Sequence, residues 1–492
     1  MTVPGNDAVP ESVSDLVRRA ARATPDTPAI IDGRERVTWS ELDARATTAA
    51  LALRASGLDD GDRVALQLGT GLDFVVLYLG AGRAGLITVP VNPTYTVPEL
   101  AHVIDDSGAR LLVTAATSSA SVSTVRPDAL LEGAPTGDDP CRDRTGEDVA
   151  VLLYTSGTSG RPKGAMLSTR ALLANLDQVA ALDPPMVTAD DVAFVPLPLF
   201  HVFGLNTGLG IALHAGATTV LADRFDPLAS LATMADEHVT VVIGAPGMFA
   251  QWAALAQLAT AFGGVRYALS GSAPLPAALA AQYASLGITL HEGYGLTETA
   301  PGVTLNRTGK AGSIGRPLPG VEVELRDQDG SPVEDDDDPG QLFVRGPNLF
   351  SGYWPDGADG PDTDGWFGTG DIAVRDDDGD LTLVGRASEL VLVNGFNVYP
   401  AEVESVLGAQ PGVAEVAVVG ADDQVTGEAV VAYVVPAEGA SLDPDQLVSA
   451  AAESLAKFKL PREVSVVDTL PHTVTGKVMK WRLKAESTDA SR

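Results

Sequence analysis

Apolar and polar positions follow one another along this chain in two regimes. Up to about residue 315, short runs rich in Val, Ile and Leu occur at 63–68, 111–114, 149–154, 240–243 and 265–270. Longer stretches with helical spacing lie around them, at 12–23, 40–55 and 276–285. Strands spaced by helices predict crossover units and parallel-rich sheets. VAVLLY at 149–154 is apolar at every position, which suits a strand covered on both faces. The stretch 72–91 has the length of a membrane span but contains Asp73, Arg83, three glycines and Pro90. Charges inside a span are costly, so this pattern predicts a buried helix, a turn and a strand.

The second regime begins near residue 315. VEVELR, QLFVRG and LTLVGR alternate with period two and are separated by Gly, Pro and the acidic runs 335–338 and 376–380. That pattern predicts a small antiparallel β-rich region with solvated turns. From about residue 388 an α/β pattern resumes: ELVLVNG, a helix at 400–407, VAEVAVVG, EAVVAYVV, a helix at 444–458 and a basic tail. The predicted class is α/β. It comprises a large N-terminal domain of parallel-rich αβα sheets at 1–386, with its β-rich subdomain at about 315–386, and a small α+β domain at 390–492.

Composition narrows the function. The chain has 492 residues, 45% of them hydrophobic, and a net charge of −32. So acidic a chain is a poor partner for nucleic acid or an anionic membrane surface. Any anionic substrate must meet a local basic site. The single cysteine, Cys141, excludes an internal disulfide and has no base nearby in the sequence to activate it. Neither a secretory leader nor an integral membrane segment is predicted, so the expected location is the cytoplasm.

The densest chemistry is YTSGTSGRPKG at 154–164, directly after an apolar strand. Gly157 and Gly160 let backbone N–H groups wrap a polyphosphate. Thr155, Ser156, Thr158 and Ser159 add hydroxyl donors, and Lys163 adds charge. The spacing is not that of a Walker A loop. YGLTE at 294–298 joins a flat ring to a carboxylate suited to a hard cation beside phosphate. WFGTGD at 366–371 presents Asp371 on a tight turn, where a carboxylate can accept from two vicinal hydroxyls. SGSAPL at 270–275 puts small residues at a strand's C-terminal end, where parallel sheets hold ligands. His201, in PLFHVFGL, taken alone has the look of a satisfied core histidine.

This series of motifs, in this order, resembles the adenylate-forming superfamily of acyl-CoA and aryl-CoA synthetases, adenylation domains and firefly luciferase. The resemblance continues through 198–204, 312–320, 385–404 and 471–480 and covers about residues 12–484. It implies ATP, Mg2+ and CoA, and assigns roles by position. The loop 155–160 with Lys163 would bind phosphates, and Thr155 and Glu298 the magnesium. Glu292, Gly293, Tyr294 and Gly295 would lie at the nucleotide, with Tyr294 on adenine. Thr297 would sit near the α-phosphate and carboxylate, and Asp371 with Arg386 at the ribose. Gly271, Ser272 and Ala273 would floor the adenine and acyl pockets, and His201 would gate them. Lys477, in PHTVTGKVMK, would be the adenylation lysine. The small domain would be mobile, swivelling at 387–389. Ser388 stands there where the family usually has Asp or Lys. Gly395 and Phe396 would line the path of CoA.

Val202, Phe203, Gly204, Ala245, Gly247, Met248 and Val303 complete the implied acyl pocket. These stretches hold no cation for a second carboxylate and no acid for an amino group. A medium- or long-chain fatty acid is the preferred substrate, and an aryl acid of the cinnamate type the alternative. A phosphopantetheinyl carrier protein is the alternative thiol, and the oligomeric state is left open. Lys457, Lys459, Arg462, Lys480, Arg482 and Lys484 cluster late in the chain and predict a positive patch for ATP and CoA.

Overall fold

The computed structural model describes residues 12–116, 121–140, 146–155, 162–327, 329–333, 338–394, 396–423, 426–472, 478–480 and 482–484. The chain divides into two compact units. One is Met1–Glu322 with Val344–Phe367, and the other is Val323–Phe343 with Gly368–Arg492. Most of the β-rich region thus falls in the second unit, whereas the motifs place the boundary at 386.

In the first unit, the described strands build two large sheets. The nine-stranded sheet runs Arg316–Pro317, Gly302–Asn306, Leu290–Gly295, Tyr267–Ser270, Val241–Gly244, Val192–Val195, Thr218–Leu221, Pro28–Asp32 and Glu35–Thr38. Its middle strands are all parallel, as predicted from the alternation of strands and helices. The six-stranded sheet runs Ser123–Val125, Leu111–Thr114, Arg63–Gln67, Ile87–Pro90, Val149–Thr155 and Lys163–Ser168, with only its last pair antiparallel. The apolar stretch at 72–91 forms the helix Leu72–Arg83 and the strand Ile87–Pro90. Among the described residues no helix is long and apolar enough to cross a membrane.

Local signals set the helix ends. Thr38 accepts the N–H of Glu41 at 3.3 Å, and the Glu41 carboxylate accepts the N–H of Thr38 at 2.9 Å. This reciprocal cap starts the helix Trp39–Ala55. That helix buries Trp39, Leu42, Ala46, Ala49, Ala50 and Leu53, the face its spacing predicts. One large core packs Phe249, Trp252, Phe262 and Tyr283 in edge contacts behind the nine-stranded sheet.

The strands Glu322–Arg326, Gly340–Arg345, Phe367–Arg375 and Leu381–Arg386 form the predicted β-rich sheet. Asp376 accepts the N–H groups of Asp378 and Asp380, each at 3.0 Å, so the acidic run 376–380 shapes a hairpin turn. The acidic residues 334–337 lie outside the described residues. A further sheet of Val391–Val393, Phe396–Val398, Val413–Asp423, Gly427–Pro436 and Glu463–Val466 packs on the helix Pro400–Gly408. The helix predicted at 444–458 stops at Ala451. Three-residue turns follow it, with Glu453 N–H bonding Ala450 O and Ser454 N–H bonding Ala451 O. Leu455 still joins the core beside Leu447 and Ala451, because positions four apart share a helix face and its N–H still bonds Ala451 O at 2.9 Å.

Candidate active site

Four neighbouring parallel strands of the nine-stranded sheet deliver four of the sequence motifs to one edge. Val192–Val195 leads into PLFHVFGL, Val241–Gly244 into Ala245–Met248, Tyr267–Ser270 into Gly271–Leu275, and Leu290–Gly295 into Leu296–Thr299. Gly244 is level with Ser270, and Ser270 with Glu292. Parallel strands share one C-terminal edge, which is where such sheets bind ligands.

On that edge Glu292 is buried, and its Oε1 accepts the N–H of Leu275 at 3.0 Å. The bond holds the 270–275 turn against the next strand. Burial pushes the carboxyl of Glu292 up to about 7, opposed by that bond. Ser272, in the same turn, has left-handed backbone at φ 71°, a strained conformation found at functional loops. Ala273 is half-buried beside it, and Gly293 is half-buried with Gly295 exposed at the strand's end. Tyr294 is half-buried and lies opposite Thr304.

Thr297, Glu298 and Thr299 form a 3-10 turn. Glu298 is buried, and its Oε1 accepts the hydroxyl of Tyr353 at 2.5 Å. Its Oε2 accepts no hydrogen bond among the described residues. The Tyr353 ring in turn faces the Lys163 ammonium, 5.2 Å from the ring centroid. Lys163 Nζ also pairs with Asp359 at 2.8 Å. Thr155 and Lys163 are opposite each other at the end of an antiparallel pair, so the phosphate-loop motif spans the connection between these two strands. The sequence pointed to Lys163 and Glu298 but missed Tyr353. A Tyr in GYWP carries no mark of its partners, since the link depends on contacts nearly two hundred residues apart.

His201 is deeply packed, and burial alone lowers its pKa to about 4. Its Nδ1 accepts the N–H of Phe203 at 3.2 Å, so the neutral ring presents Nε2–H. The following turn is a π-helix, Phe203–Gly210, which widens the backbone where Phe203 turns inward. The Phe203 ring lies so near Gly271 that a Cβ there would be 2.8 Å from Cζ. Gly204 and Gly208 are equally confined. A Cβ would meet Pro198 O at 2.2 Å at the first and Val195 Cγ1 at 2.6 Å at the second. These two glycines serve close packing, so they open no extra room in the pocket. Gly271 N–H bonds Gly244 O at 3.2 Å, which brings Ala245 and Met248 to the same corner. Val202 and Val303 are buried, and Gly247 is exposed.

In the second unit, Asp371 and Arg386 are opposite each other across two strands, and Arg386 Nε meets Asp371 Oδ1 at 2.8 Å. Thr369 Oγ1 accepts the N–H of Asp371 at 3.1 Å and donates to Leu342 O at 2.9 Å, which fixes the turn. Phe396 is 56% exposed and stacks on Phe458 at 4.8 Å. Ser388 is exposed within the 3-10 turn Ala387–Glu389. Lys477, Gly395, Cys141 and Ser156, Gly157, Thr158, Ser159 and Gly160 lie outside the described residues.

The positive patch predicted late in the chain is not what the structure holds. Lys459 pairs with Glu402 at 2.7 Å, Lys480 with Glu389 and Glu404 at 2.8 Å each, and Arg462 with Asp423. Lys484 is 3.9 Å from Glu428. Lys457 is exposed, and no carboxylate pairs with it among the described residues. Counting cations along a sequence misses partners contributed by other elements.

Two family models match this chain: the AMP-binding enzyme model over residues 17–354, and the AMP-binding enzyme C-terminal domain over 402–477. A feruloyl-CoA synthase from Amycolatopsis sp is 38% identical over 480 residues, covering 95% of this chain and 97% of that protein. A long-chain-fatty-acid–CoA ligase from Yersinia pestis is 34% identical, covering 96% and 94%. The structure of ATP-bound MatB from Rhodopseudomonas palustris superposes with a TM-score of 0.90 at 35% identity, covering 97% and 100%. With both domain models matched in order and CoA-ligase relatives covered over nearly their whole length, the chain belongs to the AMP-binding enzyme family and is an AMP-forming acid–thiol ligase.

Proposed function

We propose that the chain converts an apolar monocarboxylic acid to its CoA thioester through an acyl-adenylate. The observation that carries this is the shared edge of four parallel strands, which gathers the acid-pocket motifs beside the nucleotide motifs. In the first step the substrate carboxylate attacks the α-phosphorus of ATP and pyrophosphate leaves. In the second the CoA thiol attacks the acyl carbon and AMP leaves. No protein nucleophile is needed.

Two anions meet in the first step, so the residues must absorb charge. Glu298 fits a hard cation: it is buried, oriented by Tyr353, and one oxygen has no protein partner among the described residues. Thr155, whose hydroxyl has no partner among the described residues, is the second candidate ligand. Bound Mg2+ would neutralise phosphate charge there. Lys477 supplies the mobile cation for adenylation. Asp371 and Arg386 hold the ribose, and neutral His201 orients the acid rather than removing a proton. The swivel lies at 387–389, just after the boundary that the motifs give at 386, and Gly395 and Phe396 admit the thiol.

For the acid, an aryl propenoic acid is the first class. Gly204 and Gly208 are closely packed and add no length to the pocket, and the Phe203 ring over Gly271 makes a flat apolar wall. The feruloyl-CoA synthase likeness supports the same class. The medium- or long-chain fatty acid is the second, supported by likeness to fatty-acid ligases. A panel of cinnamates and C6–C16 fatty acids, assayed for AMP and acyl-CoA, tests the order. Preference for C12 or longer acids would reverse it. Product formed only with a holo carrier protein would remove CoA as the acceptor.

A further inference from the structure

In the second unit Lys480 lies between two carboxylates. Its Nζ lies 2.8 Å from Glu389 Oε2 and 2.8 Å from Glu404 Oε1. Glu404 Oε1 also accepts the N–H of Val418 at 2.7 Å, so that carboxylate is fixed to the strand Val413–Asp423. Glu404 itself belongs to the helix Pro400–Gly408, and Glu389 closes the turn Ala387–Glu389. One ammonium therefore ties four pieces of chain together: the turn at 387–389, the helix, the strand, and the segment after residue 478. Burial disfavours the charge on Lys480, but Glu404 and Glu389 outweigh it and raise its pKa above the usual lysine value. Without the ammonium, two carboxylates would face each other across a largely buried gap.

We propose that Lys480 is a positioning residue for the swivel. It locks Glu389 to the body of the C-terminal domain, so that the moving joint ends at Ser388. This rests on the proposed swivel at 387–389. The Ser388 side chain carries no charge and makes no hydrogen bond among the described residues, so nothing at that position anchors the joint. The next residue, Glu389, is the anchored one. A joint with a fixed end rotates between two defined orientations. A joint with a loose end populates others in which neither half-reaction is well aligned. The clamp therefore acts on the partition between adenylation and thioester formation.

The test measures the half-reactions separately, in the full-length enzyme. Pyrophosphate exchange reports adenylation, and acyl-CoA formed from supplied acyl-adenylate reports the second step. Lys480→Met and Glu389→Gln should each change the ratio of the two rates at least about fivefold, and Lys480→Arg should restore it to within about twofold. Glu389→Gln keeps the shape of the side chain and leaves the Lys480–Glu404 pair in place, so it isolates the link to the hinge. A ratio unchanged in Glu389→Gln would overturn the inference even if Lys480→Met lost both activities together through instability. Lys477→Ala runs alongside and should lose exchange while keeping the second step. If Lys477→Ala kept exchange, the two-orientation reading would fail instead, independently of the clamp.

Discussion

Glu292 offers a quantitative handle on the nucleotide edge of the first unit. Its carboxyl is buried at the end of a parallel strand and accepts one backbone N–H, from Leu275 at 3.0 Å. Burial raises its pKa from an ordinary 4.5 to about 7. A raised folded-state pKa means the folded chain holds the proton more tightly than the unfolded chain does. The associated stability is fully present below about pH 4.5 and is lost as pH rises through about 7. The interval from 4.5 to about 7 corresponds to roughly 3 kcal/mol at full ionisation. Glu292→Gln keeps a carbonyl oxygen for Leu275 and cannot ionise. The two proteins should therefore have similar urea midpoints at pH 5, and the variant should lead by about 2–3 kcal/mol at pH 9. Comparing the two at each pH cancels every other titrating group. Parallel stability curves from pH 5 to pH 9 would refute the reasoning, because they would mean the carboxyl ionises in the fold at no cost.

Further expectations concern single contacts. Tyr353→Phe removes the hydroxyl that orients Glu298; a hydrogen bond to a charged group contributes about 1.5–3 kcal/mol, so pyrophosphate exchange at limiting Mg2+ should fall about tenfold, with a smaller loss at saturating Mg2+. Gly271→Ala places a methyl 2.8 Å from the Phe203 ring and should raise KM for the bulkiest acids, with about 1–3 kcal/mol lost in a denaturant titration. His201 titrates near 4, so its neutral form is already complete above about pH 6; the pH–rate profile from 6 to 8 should be the same in His201→Asn as in the parent, whatever the loss in rate. Gly395→Leu should spare adenylation and block thioester formation, measured as the two half-reactions.

Patterns that depend on neighbours in sequence were readable without the fold. The strand at 149–154, the buried helix and strand at 72–91 and the helix at 40–55 follow from apolar runs, helical spacing and the charged and Gly/Pro breaks between them, and each stands within a residue or two of its expected place. The site motifs were readable because loops after parallel strands keep their composition contiguous. Contacts between distant segments were not readable. Nothing local in GYWP says that Tyr353 bonds Glu298, and nothing in PLFHVFGL says that Phe203 lies over Gly271. The helix at 444–458 was overextended because Leu447, Ala451 and Leu455 keep helical spacing and are all buried, so the pattern runs on past Ala451, where the α-helix gives way to tighter turns.

Charge was misread most instructively. With a net charge of −32, a run of cations seemed set aside for anionic substrates. The excess of carboxylates supplies a partner for nearly any lysine or arginine that folding brings within reach. Lys459, Arg462 and Lys480 are each paired with a carboxylate of another element. A paired cation is a poor ligand for phosphate, because the new bond must first displace the old one. In a chain this acidic, anion binding therefore falls to groups that cannot be neutralised by side-chain carboxylates over most of the surface: backbone N–H groups in glycine-rich turns, hydroxyls, and the rare lysine held apart from acids. Lys457 is exposed and has no carboxylate partner among the described residues. Lys457→Ala should raise KM for CoA several-fold at low salt, with the effect fading as ionic strength rises, whereas Lys459→Ala should leave KM for CoA nearly unchanged. Equal effects of the two substitutions would mean that pairing with Glu402 does not silence Lys459, and the charge argument would fail with it.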